Sequence, residues 1–246
     1  MRKVEKWHYS FNLNRIMNVK IYGHYGVPIL VFPCQDKMSD DFENFGMIDT
    51  LSSFIESGKI KLICVDSIDR ETLSNYWGDK EYRSHMQNQY VKYIIDEVLP
   101  IIYDDNKGFT LPYVTGCSMG ATQASILFFR RPDLFAGVLG LSGYYEIVSL
   151  FDGWVNDNVY NNSPITFLKN MSSNHPYVNI YNSKKIIFCM GQGAWENQLA
   201  WTFYELRNIL NEKNINAWMD IWGYDCSHDW YWWKAQMVYF IPFLIG

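Results

Sequence analysis

Short apolar runs alternate with longer amphipathic stretches along most of this chain. Six runs are almost continuously apolar, as expected for strands that are buried on both faces of a mostly parallel sheet. These predicted strands are 27–32 (VPILVF), 60–66 (IKLICVD), 112–115 (PYVT), 136–142 (AGVLGLS), 185–191 (KIIFCMG) and 216–222 (NAWMDIW). Between them, apolar residues recur at helical spacing. The predicted helices cover 39–57, 85–103, 119–131, 197–213 and 230–244.

This alternation predicts an α/β fold with a mostly parallel central sheet and helices on both faces. Two segments depart from the rhythm. Residues 5–11 and 18–26 precede the first buried strand and predict an antiparallel pair at the edge of the sheet. Residues 144–182 are rich in Asn, Tyr and Ser and predict an insertion that lies over the carboxyl ends of the strands. Without repeats or linkers, the pattern favours a single domain over residues 1–246.

The charge balance and the length of the apolar runs argue against some classes of binding partner. Lys and Arg number 21 against 26 Asp and Glu, and no basic run is present, which argues against nucleic acid as a partner. No run of 18 apolar residues predicts a membrane span, and the first residues lack the apolar core of a signal peptide. The five cysteines are odd in number and widely spaced, which favours free thiols and a cytoplasmic location. The sequence does not decide whether the protein forms a homo-oligomer.

The stretch Gly116–Ala121 (GCSMGA) fits the pattern G-x-S-x-G, and it follows a predicted strand and opens a predicted helix. This setting is that of a nucleophile elbow, in which Ser118 stands on a sharp strand-to-helix turn. The helix N-terminus favours developing negative charge, and the backbone N–H of Met119 would serve as an oxyanion donor. The alternative is a glycine-rich crossover whose serine has no chemical role.

A serine hydroxyl needs a base to become a nucleophile. Of the five histidines, only His228 lies in a loop that follows the last predicted strand. In this architecture such a loop returns over the elbow, so His228 is the predicted base.

The acid that orients the base should lie between Ser118 and His228 in the chain, after the penultimate strand. Glu196 is the only carboxylate between the end of that strand and the following helix. Asp220 and Asp225 are alternatives, with Asp152 and Asp157 more remote. Glu196 could instead be an inert acidic residue in a first helical turn.

The second oxyanion donor should come from the loop that follows strand 27–32. A backbone N–H of Cys34 or Gln35 is the candidate, and Gln35 is preferred. Cys117 is a rival nucleophile, although its side chain should point away from the elbow. Trp195 and Trp230 are predicted to line the substrate pocket, although core packing explains them equally well.

No metal or cofactor site is predicted. The stretch GQGAWE has Glu196 where a dinucleotide fingerprint needs its third glycine, and no P-loop, H-E-x-x-H or zinc-type Cys/His spacing occurs.

Several quoted stretches together resemble esterases of the α/β-hydrolase superfamily related to esterase D (S-formylglutathione hydrolase) and to enterochelin-type esterases. The stretches are GCSMGA, RRPDLFAGVLGLSG, GQGAWENQL and HDWYWW. The resemblance extends over about residues 15–245 and implies that Ser118 is the nucleophile, Glu196 the acid and His228 the base. Those relatives usually carry Asp at the position of Glu196 and a His-Gly segment where this chain has Pro33–Gln35.

These observations predict a serine carboxylic-ester hydrolase that uses a Ser-His-Glu triad and an acyl-enzyme on a small or medium acyl ester, with no cofactor. An acyltransferase that uses the same triad and a non-catalytic binding protein of the same fold are the alternatives.

Overall fold

The computed structural model describes residues 1–246 and contains an eight-stranded sheet in the order β1-β2-β4-β3-β5-β6-β7-β8. The strands are β1 (Lys3–Ser10), β2 (Arg15–Tyr22), β3 (Val27–Phe32), β4 (Ile60–Val65), β5 (Tyr113–Cys117), β6 (Gly137–Leu141), β7 (Lys185–Met190) and β8 (Trp218–Ile221). β2 pairs antiparallel with β1 and β4, and every other neighbouring pair is parallel. The mostly parallel α/β sheet and its antiparallel edge pair are thus confirmed.

Eleven α-helices accompany the sheet. They are α1 (Asp41–Asn44), α2 (Met47–Thr50), α3 (Ser52–Glu56), α4 (Lys80–Tyr93), α5 (Leu99–Asp105), α6 (Met119–Arg130), α7 (Asp157–Asn161), α8 (Pro164–Asn170), α9 (Pro176–Asn182), α10 (Asn197–Glu212) and α11 (Trp230–Ile245). A π-helical turn, Ile94–Val98, joins α4 to α5, and 3-10 turns occupy Asp69–Glu71 and Val148–Phe151.

Alternate side chains of the parallel strands enter two apolar cores, one on each face of the sheet. In β3, Leu30 and Phe32 belong to one core, whereas Ile29 and Val31 belong to the other. The period of two along a strand sends neighbouring side chains to opposite faces. Because both faces are covered, the strand sequence is apolar at every position rather than at alternate ones.

The register of the parallel strands aligns their carboxyl ends along one edge of the sheet. Phe32 pairs with Gly116, Cys117 with Leu141, and Leu141 with Cys189. The residues that follow β3, β5, β6 and β7 therefore emerge side by side. In open α/β sheets, ligands bind at this edge.

One predicted helix is wrong. The segment 39–57 forms the three short helices α1, α2 and α3 rather than a single helix. Gly46 has a φ of +75°, in the left-handed region, which interrupts the helix between α1 and α2.

The predicted insertion covers the active edge only in part. Tyr144 and Leu150 reach the cavity described below. The rest of the segment forms α7, α8 and α9, which pack against α4, against α6 and α10, and against β7. Apolar residues such as Leu168 and Val178 hold these helices in the core.

No helix is both long and apolar enough to cross a bilayer. The prediction of one domain over residues 1–246 stays a prediction.

Candidate active site

Ser118 stands on the turn between β5 and α6 in a strained backbone conformation. Its φ is +56° and its ψ is −125°, outside the regions that L-residues ordinarily occupy. Its backbone N–H donates a hydrogen bond of 2.9 Å to the carbonyl of Leu141 in the neighbouring strand. The conformation lifts the side chain away from the sheet and leaves the hydroxyl half-exposed at the start of α6.

The two glycines of the motif are required by close backbone contacts. A Cβ on Gly116 would collide with the backbone of Gly120. A Cβ on Gly120 would collide with the carbonyl oxygens of Phe32 and Pro33 at the end of β3. Helix α6 can therefore begin directly on the sheet edge only because both positions lack a side chain.

His228 lies in the loop between β8 and α11 and reaches the serine. Its Nε2 is 2.9 Å from Ser118 Oγ. The backbone N–H of His228 donates to the carbonyl of Ala194 over 3.0 Å, which ties this loop to the segment before α10. The imidazole and the Trp233 indole form a T-shaped pair, with ring centroids 4.8 Å apart and planes at 84°. Backbone and ring contacts together orient the imidazole.

Glu196 lies on the other side of the imidazole, directly before α10. Its side chain is 1% exposed, and Oε1 is 3.5 Å from His228 Nδ1. This distance is longer than a charge-assisted hydrogen bond, but such contacts in ligand-free sites often tighten when substrate binds. His228 Nδ1 and Glu196 Oε2 are both buried without a hydrogen-bond partner.

Ser142 contacts the Glu196 carboxylate, and Trp233 contacts Ser142 in turn. Ser142, which follows β6, donates a hydrogen bond of 2.6 Å to Glu196 Oε1 and accepts one of 3.1 Å from Trp233 Nε1. Ser142 has a φ of +52°, so a second strained residue occurs at the sheet edge. The contacts form a continuous series from Trp233 through Ser142, Glu196 and His228 to Ser118.

The alternative acids are engaged or exposed. Asp220 accepts a hydrogen bond from the Trp222 indole over 3.1 Å. Asp152 forms an ion pair with Lys80 over 3.0 Å. Asp225 is exposed, and Asp157 lies in the first turn of α7. Of the five candidates, Glu196 is the one in contact with the imidazole.

Cys117 is directed away from the elbow, as predicted. Its side chain is fully buried in the core on the face of the sheet that also packs α11. Burial raises the pKa of the Cys117 thiol well above its usual range, because the thiolate would lose its hydration. The rival nucleophile is therefore protonated and out of reach.

The loop after β3 brings Gln35 to the site. The Cys34 N–H donates to the Asp41 carboxylate over 2.8 Å, so it is already engaged, whereas Gln35 lines the cavity beside Ser118. The hydroxyl of Ser74 donates to the Asp36 carboxylate and anchors the loop. Met119, as the first residue of α6, offers a backbone N–H that has no partner within the helix.

A cavity of about 490 Å³ opens above these groups. Its walls come from the loops at the carboxyl ends of the strands and from the starts of α6 and α10. The lining residues are Gln35, Tyr76, Ser118, Met119, Thr122, Ser142, Tyr144, Leu150, Trp195, Gln198, Leu199 and His228. No cluster of three His, Cys, Asp or Glu side chains is arranged to hold a metal.

Of the two tryptophans predicted to line the pocket, the structure places one there. Trp195 belongs to the cavity wall and is 69% exposed. Trp230 lies outside it, so its prediction is corrected: in the first turn of α11 it stacks on Phe45, with centroids 4.8 Å apart, and meets the edge of Trp233. Apolar packing of α11 against α1 accounts for its position.

The chain matches the family described as "Putative esterase" over residues 10–244. The chain belongs to this esterase family. The resemblance to esterases inferred from GCSMGA and HDWYWW is thereby confirmed. Comparison with curated protein sequences gave no match.

The fold of the esterase is similar to that of several solved structures. A ferulic acid esterase has a TM-score of 0.75 at 16% identity, with 100% of this chain and 98% of that chain covered. An S-formylglutathione hydrolase from Agrobacterium tumefaciens has a TM-score of 0.74 at 13% identity, with 99% and 94% covered. The enterobactin esterase of Shigella flexneri has a TM-score of 0.63 at 15% identity, with 99% and 60% covered. At these identities the likeness establishes the α/β-hydrolase fold.

Sequence reasoning missed the contacts of Ser142 and Trp233 with the candidate site. Both lie in stretches that carried the resemblance, LGLSG and HDWYWW, but neither was singled out. A polar residue directly after a buried strand, at the same edge as Ser118, was the available signal for Ser142.

Proposed function

We propose that the esterase is a serine carboxylic-ester hydrolase in which Ser118 is the nucleophile, His228 the base and Glu196 the acid. The observation that carries the proposal is the approach of Ser118 Oγ to within 2.9 Å of His228 Nε2, on a strained turn at the mouth of a cavity. A hydroxyl in this contact can pass its proton to the imidazole as it attacks.

In the first half of the reaction, Ser118 Oγ forms a bond to the ester carbonyl carbon while its proton moves to His228 Nε2. Negative charge develops on the carbonyl oxygen and is stabilised by the backbone N–H groups of Met119 and Gln35. The carbon–oxygen bond to the alcohol then breaks, and His228 returns the proton to the departing alkoxide. An acyl group remains on Ser118.

In the second half, His228 takes a proton from water, whose oxygen attacks the acyl carbon. The bond to Ser118 breaks, its oxygen regains a proton from His228, and the acid leaves. The carboxylate of Glu196 stabilises the imidazolium that forms in both halves. Its burial excludes water, which strengthens this charge interaction.

The decisive experiment measures hydrolysis of short p-nitrophenyl esters by wild type and by Ser118→Ala, His228→Ala and Glu196→Gln. We expect the first two variants to lose about 10⁴-fold or more in kcat. Ser183→Ala, an exposed serine after α9, is the matched control and should keep full activity. Full activity of Ser118→Ala would end the proposal.

Labelling provides a readout that does not depend on the choice of substrate. A fluorophosphonate should add one adduct to the intact mass of wild type and none to Ser118→Ala. Absence of the wild-type adduct would remove the serine mechanism. Acyl transfer uses the same residues, and product analysis with added alcohols separates it from hydrolysis.

We also propose a cytoplasmic location. Its support is that all five cysteines are free, four of them buried, which fits a reducing compartment. Cell fractionation that recovered the protein outside the cytoplasm would contradict it.

A further inference from the structure

The wall of the cavity contains no carboxylate, ammonium or guanidinium group. None of its lining residues is Lys, Arg, Asp or Glu, and of the proposed triad only Ser118 and His228 line it. The polar lining groups are amides and hydroxyls, as in Gln35, Thr122 and Gln198. Such groups satisfy hydroxyl, ether or carbonyl oxygens of a substrate, but they do not compensate an ionised one.

No Lys or Arg side chain lines this cavity. Arg83 is 0% exposed and donates to the carbonyl of Leu150, so its guanidinium lies behind the wall. Lys80 is paired with Asp152. The carboxylate of Glu196 lies below His228 and would repel an anion. A substrate carboxylate would therefore lose hydration without gaining a charged partner.

The same wall presents flat aromatic faces. Trp195 is 69% exposed and Tyr76 is 47% exposed, although both line the cavity. Tyr144 is held in place by a contact of 2.7 Å between its hydroxyl and Ser149 Oγ, and its ring meets Trp201 edge-on. Aromatic side chains with uncovered faces are suited to contact a planar group, because burial of both faces is favourable.

We propose that this cavity selects uncharged esters that carry a planar ring, and that the ring lies against Trp195 and Tyr76. The inference rests on the proposed function of Ser118. Two lining residues then determine specificity. Gln198 does so because its side chain is an uncharged amide, and Trp195 because its ring is exposed to the substrate.

The test compares kcat/KM on three methyl esters by proton release at constant pH. Methyl hexanoate is the neutral reference, monomethyl adipate has the same acyl length with a terminal carboxylate, and methyl 3-phenylpropanoate carries the ring. For wild type we expect monomethyl adipate to be worse than methyl hexanoate by about tenfold or more. We expect methyl 3-phenylpropanoate to be better than methyl hexanoate by about fivefold.

Two variants with matched controls locate these effects. Gln198→Lys should raise the adipate-to-hexanoate ratio by about fivefold, the upper end for an exposed ion pair. Asn197→Lys adds the same charge one residue away, outside the lining, and should leave the ratio unchanged. Trp195→Ala should remove the preference for the ring, whereas Trp7→Ala, 65% exposed on the edge strand β1, should keep it.

Wild-type activity on monomethyl adipate equal to that on methyl hexanoate would overturn the charge argument and would point to Arg83 acting through the wall. An equal effect of Gln198→Lys and Asn197→Lys would overturn the assignment of Gln198. Retention of the ring preference in Trp195→Ala would overturn the ring contact. If Ser118 labels with the fluorophosphonate, these results bear on substrate choice alone; if it does not, the proposed function has failed first.

Discussion

The backbone strain at Ser118 predicts that variants with glycine and alanine at this position differ in stability, although we expect both to lose activity. A non-glycine residue at a φ of +56° and a ψ of −125° costs about 1–3 kcal/mol relative to an ordinary conformation. Glycine adopts such values freely, so Ser118→Gly relieves the strain and Ser118→Ala retains it.

The expected difference in the free energy of unfolding between the two variants follows from the contributions that they do not share. Both variants lose the contact with His228 Nε2, worth about 1 kcal/mol, so it drops out of their difference. Glycine also loses about 0.4–1 kcal/mol through the greater freedom of its unfolded chain. We expect Ser118→Gly to exceed Ser118→Ala in the free energy of unfolding by about 1 kcal/mol, or about 2–4 °C in Tm for a chain of this size.

Calorimetry or denaturant unfolding of the two variants measures this difference. Ser125, in the middle of α6, provides a control with the opposite sign, because glycine in a helix interior is less stable than alanine by about 1 kcal/mol. If Ser118→Gly were no more stable than Ser118→Ala, the elbow would not store strain in the folded protein and the argument would be wrong.

Two further predictions concern buried polar groups. Ser142→Ala removes the 2.6 Å donor to Glu196 and should lower kcat on p-nitrophenyl esters by about tenfold or more, because Glu196 Oε1 loses a buried hydrogen bond. Wild-type kcat in Ser142→Ala would exclude a positioning role. Burial raises the pKa of Asp69 to about 6, despite its hydrogen bond from Gln123. The folded state therefore holds this proton more tightly than the unfolded one, so Asp69 makes the free energy of unfolding fall by about 3 kcal/mol as the pH rises from about 4 to about 7. Asp69→Asn should flatten that dependence in denaturant titrations, and an unchanged slope relative to wild type would contradict it.

Some residues of the candidate site could be predicted from the sequence. Ser118, Glu196 and His228 were predicted because each lies in a loop that follows a parallel strand, and parallel strands bring the residues at their carboxyl ends to one edge. The need for Gly116 and Gly120 could likewise be inferred, since a helix that starts on a strand leaves no room for a Cβ.

Other parts depend on contacts between distant segments. Trp233 rather than Trp230 meets His228, and this depends on the angle at which α11 leaves the sheet and packs against α1. Both indoles occupy the same short stretch, HDWYWW, and a local pattern does not distinguish them.

The sequence by itself determined the order of the parallel strands along the chain, the burial of the central strands on both faces, and the chain order Ser118, Glu196, His228. These properties follow from local periodicity and spacing. Only the tertiary structure decided that Ser142 donates a hydrogen bond to Glu196, that most of residues 144–182 pack away from the cavity, and that no Lys, Arg, Asp or Glu lines the cavity. Those features arise where side chains from separate loops meet, and their meeting is set by strand register and helix packing rather than by neighbours in the chain.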